Sequence, residues 1–129
     1  MVTKKDICNV LKTVVDKDVK ILPNRISNKD EKSISVEDSS LVKKINFRGN
    51  NTTFNQISFR LTIRYSTNET ETEEFCWTLY ESLYDIKDVE INNKNSWLKT
   101  LKVTEPMATG NVKNNIYEQK IEFALLYSV

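Results

Sequence analysis

Histidine is absent from all 129 residues, and glycine, proline and cysteine each occur only twice. Without histidine the commonest general base is missing, and with it the Ser-His-Asp and Cys-His arrangements. Gly49 and Gly110 stand too far apart to form a GxGxxG or P-loop cradle for phosphates, which argues against nucleotide chemistry. Two cysteines and no histidine leave too few soft ligands for the usual tetrahedral zinc sites. Cys8 and Cys76 both fall in apolar segments with helical spacing, where a free cysteine behaves as a small buried hydrophobe. Neighbouring carboxylates such as Glu73 with Glu74, or Asp85 with Asp88, show no sign of the burial that would separate their pKa values for acid/base work. The chain reads as a non-enzymatic protein with no cofactor, metal or small-molecule substrate.

Long apolar runs are missing too. None reaches about 18 residues, and charges interrupt MVTKKDICNVLKTVVDKD where a secretory segment would be continuous. We therefore expect a cytoplasmic protein with no membrane partner. A formal net charge of +1 supplies no overall field to attract nucleic acid. What is present is ordinary globular material, 39% hydrophobic and 29% charged, in a length that suits one domain over residues 1–129.

Thr3 and Asp6 have capping-box spacing, and Ile7, Val10, Leu11 and Val14 follow at helical intervals, predicting an amphipathic helix that ends near Lys17. A short strand over Val19–Leu22 stops at Pro23. Residues 24–40 are polar, with only Ile26, Ile34 and Val36 as anchors, and predict a mobile loop with a short strand around Ile34. Leu41–Phe47 reads as a strand, and the turn residues of Arg48–Thr53 imply a hairpin. From Phe54 to Tyr65, Ile57, Phe59, Leu61, Ile63 and Tyr65 alternate with polar residues, giving one core face and one polar face. Ser66 and Glu69 then repeat the capping spacing, opening a helix that closes by Asp85. Its apolar stripe of Thr72, Phe75, Cys76, Leu79, Tyr80 and Leu83 is wide enough to cover a sheet. Val89–Ile91 and Trp97–Thr104 read as strands, 105–115 as a loop between strands, and Ile116–Tyr127 as a final strand apolar on both faces in its far half. This order predicts an α+β fold: a largely antiparallel sheet with an N-terminal helix and a second helix packed across one face.

The arrangement resembles the minor capsid and tail terminator proteins of long-tailed bacteriophages, including the related caps of phage-tail-like bacteriocins. The residues that carry the likeness are the leading helix at Asp6–Val15 and the strand ISFRLTIRYS, which runs directly into ETEEFCWTLYESLYDI with its Leu83, Tyr84 and Asp85. Pro106 and Gly110 add a Pro-x-x-x-Gly spacing before the closing strand. The Pro- and Gly-rich segment common in that family before the central strand is glycine-free here. The resemblance implies a tail-terminator-like fold and a ring-forming, typically hexameric subunit of a virion or phage-tail-like particle, assembled in the host bacterial cytoplasm. It would sit at the tail end or neck, cap the tail tube and meet the connector, with the sheath as a further neighbour and DNA only passing through the lumen.

Interface candidates are Trp97, Met107, Arg60, Arg64, Ile34 and Val36. Tryptophan and methionine are enriched at subunit contacts, although a tryptophan at a strand start also suits a core. Arg60 and Arg64, with Lys43 and Lys44 nearby, form either a basic face turned to DNA or a sheet face with cross-strand pairs to Glu118 and Glu122. The acidic run Glu69–Glu74 either lines a lumen or complements a helix N-terminus. Residues 24–40 and 105–115 are the expected reaching loops. Two other readings stay open: another virion part, such as a head-completion or tail tube protein, and a non-enzymatic binding module, a small regulator or assembly chaperone that grips its partner along a strand edge.

Overall fold

Thr3 starts the first helix. Its hydroxyl accepts from the Asp6 amide at 3.2 Å while the Asp6 carboxylate accepts from the Thr3 amide at 2.9 Å, the reciprocal box that the spacing predicts. In the computed structural model, which describes residues 3–23, 32–39, 46–48, 53–91, 94–113 and 115–128, this helix is α1 (Lys4–Leu11). Ile7, Val10 and Leu11 are buried as their periodicity requires. The helix stops short of Lys17 because three β-branched residues follow in succession, Thr13, Val14 and Val15, and the chain tightens into i to i+3 bonds from Thr13 to Val10 and from Val14 to Leu11.

The remaining elements are β1 (Lys20–Leu22), β2 (Ser33–Asp38), β3 (Asn46–Arg48), β4 (Thr53–Arg64), α2 (Glu69–Tyr84), β5 (Lys87–Ile91), β6 (Lys94–Val103), β7 (Met107–Lys113) and β8 (Ile116–Ser128). They form one sheet in the order β1-β2-β4-β8-β6-β5, with β3 paired to the start of β4 and β7 to the start of β8. Among the described strands β1 and β2 pair in parallel, and the other pairings are antiparallel. The fold is α+β, with two helices and a mostly antiparallel, curled sheet. The curl is visible in α1, which contacts β1 and β2 near one end of the strand order and β5 at the other.

The long β4–β8 ladder sets the two faces. Phe59 opposite Phe123, Leu61 opposite Ile121 and Ile57 opposite Leu125 turn one face inward, joined by Ile34 and Val36 from β2 and Ile21 from β1. Against that face lie Ile7, Val10 and Leu11 of α1 and Cys76, Leu79 and Leu83 of α2, in one continuous core. The stripe predicted for the second helix holds: Thr72, Cys76, Leu79 and Leu83 are buried, and Phe75 and Tyr80 pack at its margin. The central place of β8 between β4 and β6 explains why its far half is apolar on both faces.

Three expectations change. Of the expected loop 24–40, the short strand anticipated around Ile34 is β2, which runs over the whole of residues 33–38 and is inserted between β1 and β4, while residues 24–31 and 40 lie outside the described residues. The polar Ser33 and Ser35 conceal the extent of the strand in sequence, yet both are buried by their position inside the sheet. The expected loop 105–115 is largely strand β7, a continuation of β6 along the same edge of β8. The two are broken at Pro106, which has no amide to donate, and β7 carries a bulge between Ala108 and Val112. Gly110 in that bulge has φ +80, a conformation that strains any residue with a Cβ. Finally, the cap of α2 is Asn68 and not Ser66: the Asn68 side chain accepts from the Glu71 amide at 3.0 Å, and the Ser66 hydroxyl accepts from the Asn68 amide.

Candidate interaction surfaces

The sheet face turned away from the helices is built from the alternate positions of the same strands. On β4 these are Ser58, Arg60, Thr62 and Arg64, and the register sets Arg60 opposite Glu122, Thr62 opposite Lys120 and Arg64 opposite Glu118. The face has two halves. On the β2–β4 side it is largely covered, with Ser33, Ser35, Ser58 and Arg64 buried and Glu37, Arg60 and Thr62 half-buried. On the β6–β7–β8 side it is open: Lys99 and Lys102 are exposed, Lys120, Glu118 and Glu122 are half-buried, and Met107, opposite Lys120, is 58% exposed.

Arg60 is therefore not part of a free basic patch. Its guanidinium donates to Glu37 Oε2 at 2.8 Å, across the β2–β4 pair, and the Thr62 hydroxyl donates to the other oxygen of the same carboxylate at 3.1 Å. The Glu37 bond and charge raise the arginine's pKa above its ordinary value, with Glu122 adding to the effect and burial opposing it. With the two side chains 39% and 28% exposed, water screens much of this pair. Removing Arg60 as Arg60→Met, Glu37 as Glu37→Gln, and then both should give a coupling of only about 0.2–1 kcal/mol in urea unfolding. A coupling above about 2 kcal/mol would place the pair in a desolvated site.

The other interface candidates separate. Ile34 and Val36 are fully buried, opposite Ile63 and Leu61 in the register, so the folded chain does not offer them to a neighbour. Arg64 is 2% exposed and also withdrawn. Met107 remains at the surface, and the Trp97 backbone pairs with Glu90 of β5. Lys43 and Lys44 lie outside the described residues.

A second surface escaped the sequence pattern. Trp77, 39% exposed, Tyr80, half-buried, and Tyr84, 63% exposed, run along the outward side of α2. Trp77 meets Tyr80 edge-on with ring centroids 5.4 Å apart, and Tyr80 lies 6.0 Å from Tyr84. An open depression beside them is lined by Thr70, Glu73, Glu74, Trp77 and Thr78. The segment from Ser66 to Ile86 carries Glu69, Glu71, Glu73, Glu74, Glu81 and Asp85 and neither lysine nor arginine. Glu69 and Glu71 occupy the first turn, where the helix dipole favours them, but Glu73, Glu74 and Glu81 lie beyond it. The signal in sequence was the spacing Trp77, Tyr80, Tyr84, at i, i+3 and i+7, one residue offset from the core stripe of Cys76, Leu79 and Leu83.

Among the described residues no group of three or more His, Cys, Asp or Glu is placed to hold a metal ion. Cys8 and Cys76 are free and buried. Burial pushes the Cys8 thiol above its ordinary pKa, against the pull of Lys12, and raises Cys76 to about 12 with Glu73 adding to it. Both stay protonated, unlike the thiolates of reactive cysteines. Among the described residues no helix is long and apolar enough to cross a membrane. Compared with models of protein families and with curated protein sequences, the chain matches none of them.

Proposed function

We propose that this chain is a non-enzymatic structural subunit of a phage tail or phage-tail-like particle, a tail terminator or neck protein that closes into a ring, typically a hexamer, on the end of the tail tube. The observation that supports it most is the pairing of two chemically different exposed surfaces on opposite sides of one sheet: acidic and aromatic on α2, and the exposed lysines Lys99 and Lys102 of β6 on the other face. A ring of identical subunits is built by a heterologous contact, in which one patch meets a different patch on the next copy and rotation closes the circle. The order of elements, with the hydrophobic-Arg-hydrophobic-Arg strand β4 leading into α2 and a closing β7–β8 hairpin, agrees with the family resemblance. Its partners would be its own copies, the tail tube protein, the connector and, in a contractile tail, the sheath.

The test is the mass of the purified protein by light scattering, alone and mixed with its tail tube protein, with electron microscopy of the tubes. A closed ring that halts tube growth is the expected result. Stacking into long polymers would point to a tube subunit. A strict monomer that never caps a tube would overturn the reading in favour of a binding module.

A further inference from the structure

We infer that the acidic, aromatic face of α2 on one copy docks onto the exposed lysines Lys99 and Lys102 on the open half of the sheet face of the next copy, head to tail. This rests on the reading of the chain as a ring-forming subunit and names the two surfaces that would meet.

The geometry places them back to back. α2 packs on the inward face of β8 and β6, and the Thr100 hydroxyl, on that face, donates to the Leu83 carbonyl near the end of the helix. The outward side of α2, with Trp77, Tyr84, Glu73, Glu74 and Glu81, therefore points away from the sheet. Lys99 opposite Leu126, Lys102 opposite Ala124 and Lys120 opposite Thr62 project from the other face, with Met107 beside Lys120. Two such surfaces cannot meet within one molecule. They can meet between copies, and because they lie on opposite sides each copy has one of each to offer, so the contact propagates from copy to copy and forms a ring where the rotation per copy closes the circle.

The chemistry is complementary in kind as well as in sign. Among the described residues Glu73, Glu74, Glu81, Lys99 and Lys102 form no ion pair within the chain. Trp77 and Tyr84 are exposed aromatic rings, a residue type whose faces attract ammonium groups, and the lysine stems and Met107 supply apolar area for the rings to cover. Aromatic residues and methionine at the centre, with charges at the rim, match the anatomy of a protein interface. An isologous contact of α2 with α2 would set like charges against each other and is disfavoured on the same grounds.

The experiment uses two charge-reversed full-length chains, Glu73→Lys with Glu74→Lys, and Lys99→Glu with Lys102→Glu. All four sites are exposed, so both chains should unfold as cooperatively as the parent. Sedimentation and light scattering should show the parent assembling, each reversed chain alone weakened by about tenfold or more, and assembly restored when the two reversed chains are mixed, since both junctions in the mixture then pair opposite charges. A parent chain that stays monomeric at the highest attainable concentration overturns the inference. So does an assembly lost in the α2 variant, unchanged in the sheet variant and not rescued by mixing, which would mean an α2-to-α2 contact. Assembly rescued by mixing but unable to cap a tube would leave this interface standing while removing the terminator reading. Tube capping that survives both reversals would do the opposite.

Discussion

Phe123→Ala is expected to cost about 3–5 kcal/mol of unfolding free energy, a large share of the roughly 5–15 kcal/mol available to a domain of this kind. Phe123 lies on β8, the central strand of the sheet, at 1% exposure, with its ring centroid 6.0 Å from that of Phe59 and with Val103 opposite it on β6. Truncation loses the transfer energy of the ring and leaves a cavity that the long β4–β8 ladder resists closing. Ile34→Ala should cost about 2–5 kcal/mol for the same reason. Met107→Ala should stay within about 0.5 kcal/mol, because that side chain is largely in water. Equilibrium urea unfolding of the three variants measures the differences. A loss below about 1 kcal/mol for Ile34→Ala would return that residue to the list of interface candidates, since a side chain waiting for a neighbour stabilises the isolated chain very little.

Alkaline pH is expected to destabilise the protein through Cys76. Burial against the core lifts this thiol from an ordinary value of 9.0 to about 12. The unfolded chain therefore loses the proton first. The contribution of the protonated thiol is complete below pH 9.0 and is lost as pH rises toward 12, at up to about 1.4 kcal/mol per pH unit from this group. Cys8 adds in the same direction, because its pKa is also raised by burial. Unfolding free energy measured from pH 8 upward should fall along this slope in the parent and more gently in Cys76→Ala, after that variant's own pH-independent loss is subtracted. At neutral pH an aromatic disulfide reagent should label Cys76 only as fast as the protein opens. Rapid labelling of the native chain, or an equal alkaline slope in Cys76→Ala, would mean that the thiol is not held in the core.

Much of the fold is legible in the residues because the periodicities are long and unbroken. Eight alternating positions from Ile57 to Arg64 leave β4 one workable register, and a slip by one residue would put Arg60 in the core and Phe59 in water. The stripe of Thr72, Cys76, Leu79 and Leu83 likewise leaves α2 one face to bury. β7 was not legible, and β2 only as a short strand around Ile34 within a loop. Ser33 and Ser35 look like loop residues until two flanking strands cover them, and the Pro106 to Gly110 stretch has the composition of a turn although it is a bulged strand paired to β8. The candidate surfaces divide in the same way. Met107 was visible from its residue type, whereas Trp77 and Tyr84 were obscured by a helix whose stripe already accounted for its apolar residues.

The sequence by itself determined what depends on neighbours along the chain: the capping box at Thr3 and Asp6, the inward face of β4 and β8, the core stripe of α2, and the absence of histidine and of any glycine-rich phosphate loop. Only the tertiary structure decided which polar residues are covered and which charges are already paired. Glu37 reaches Arg60 across β2 and β4, Ile34 and Val36 become core, and α2 with Lys99 and Lys102 end on opposite sides of one sheet. The physical reason is that burial and ion pairing between strands distant in sequence follow from strand order and register, and neither is encoded in any local window.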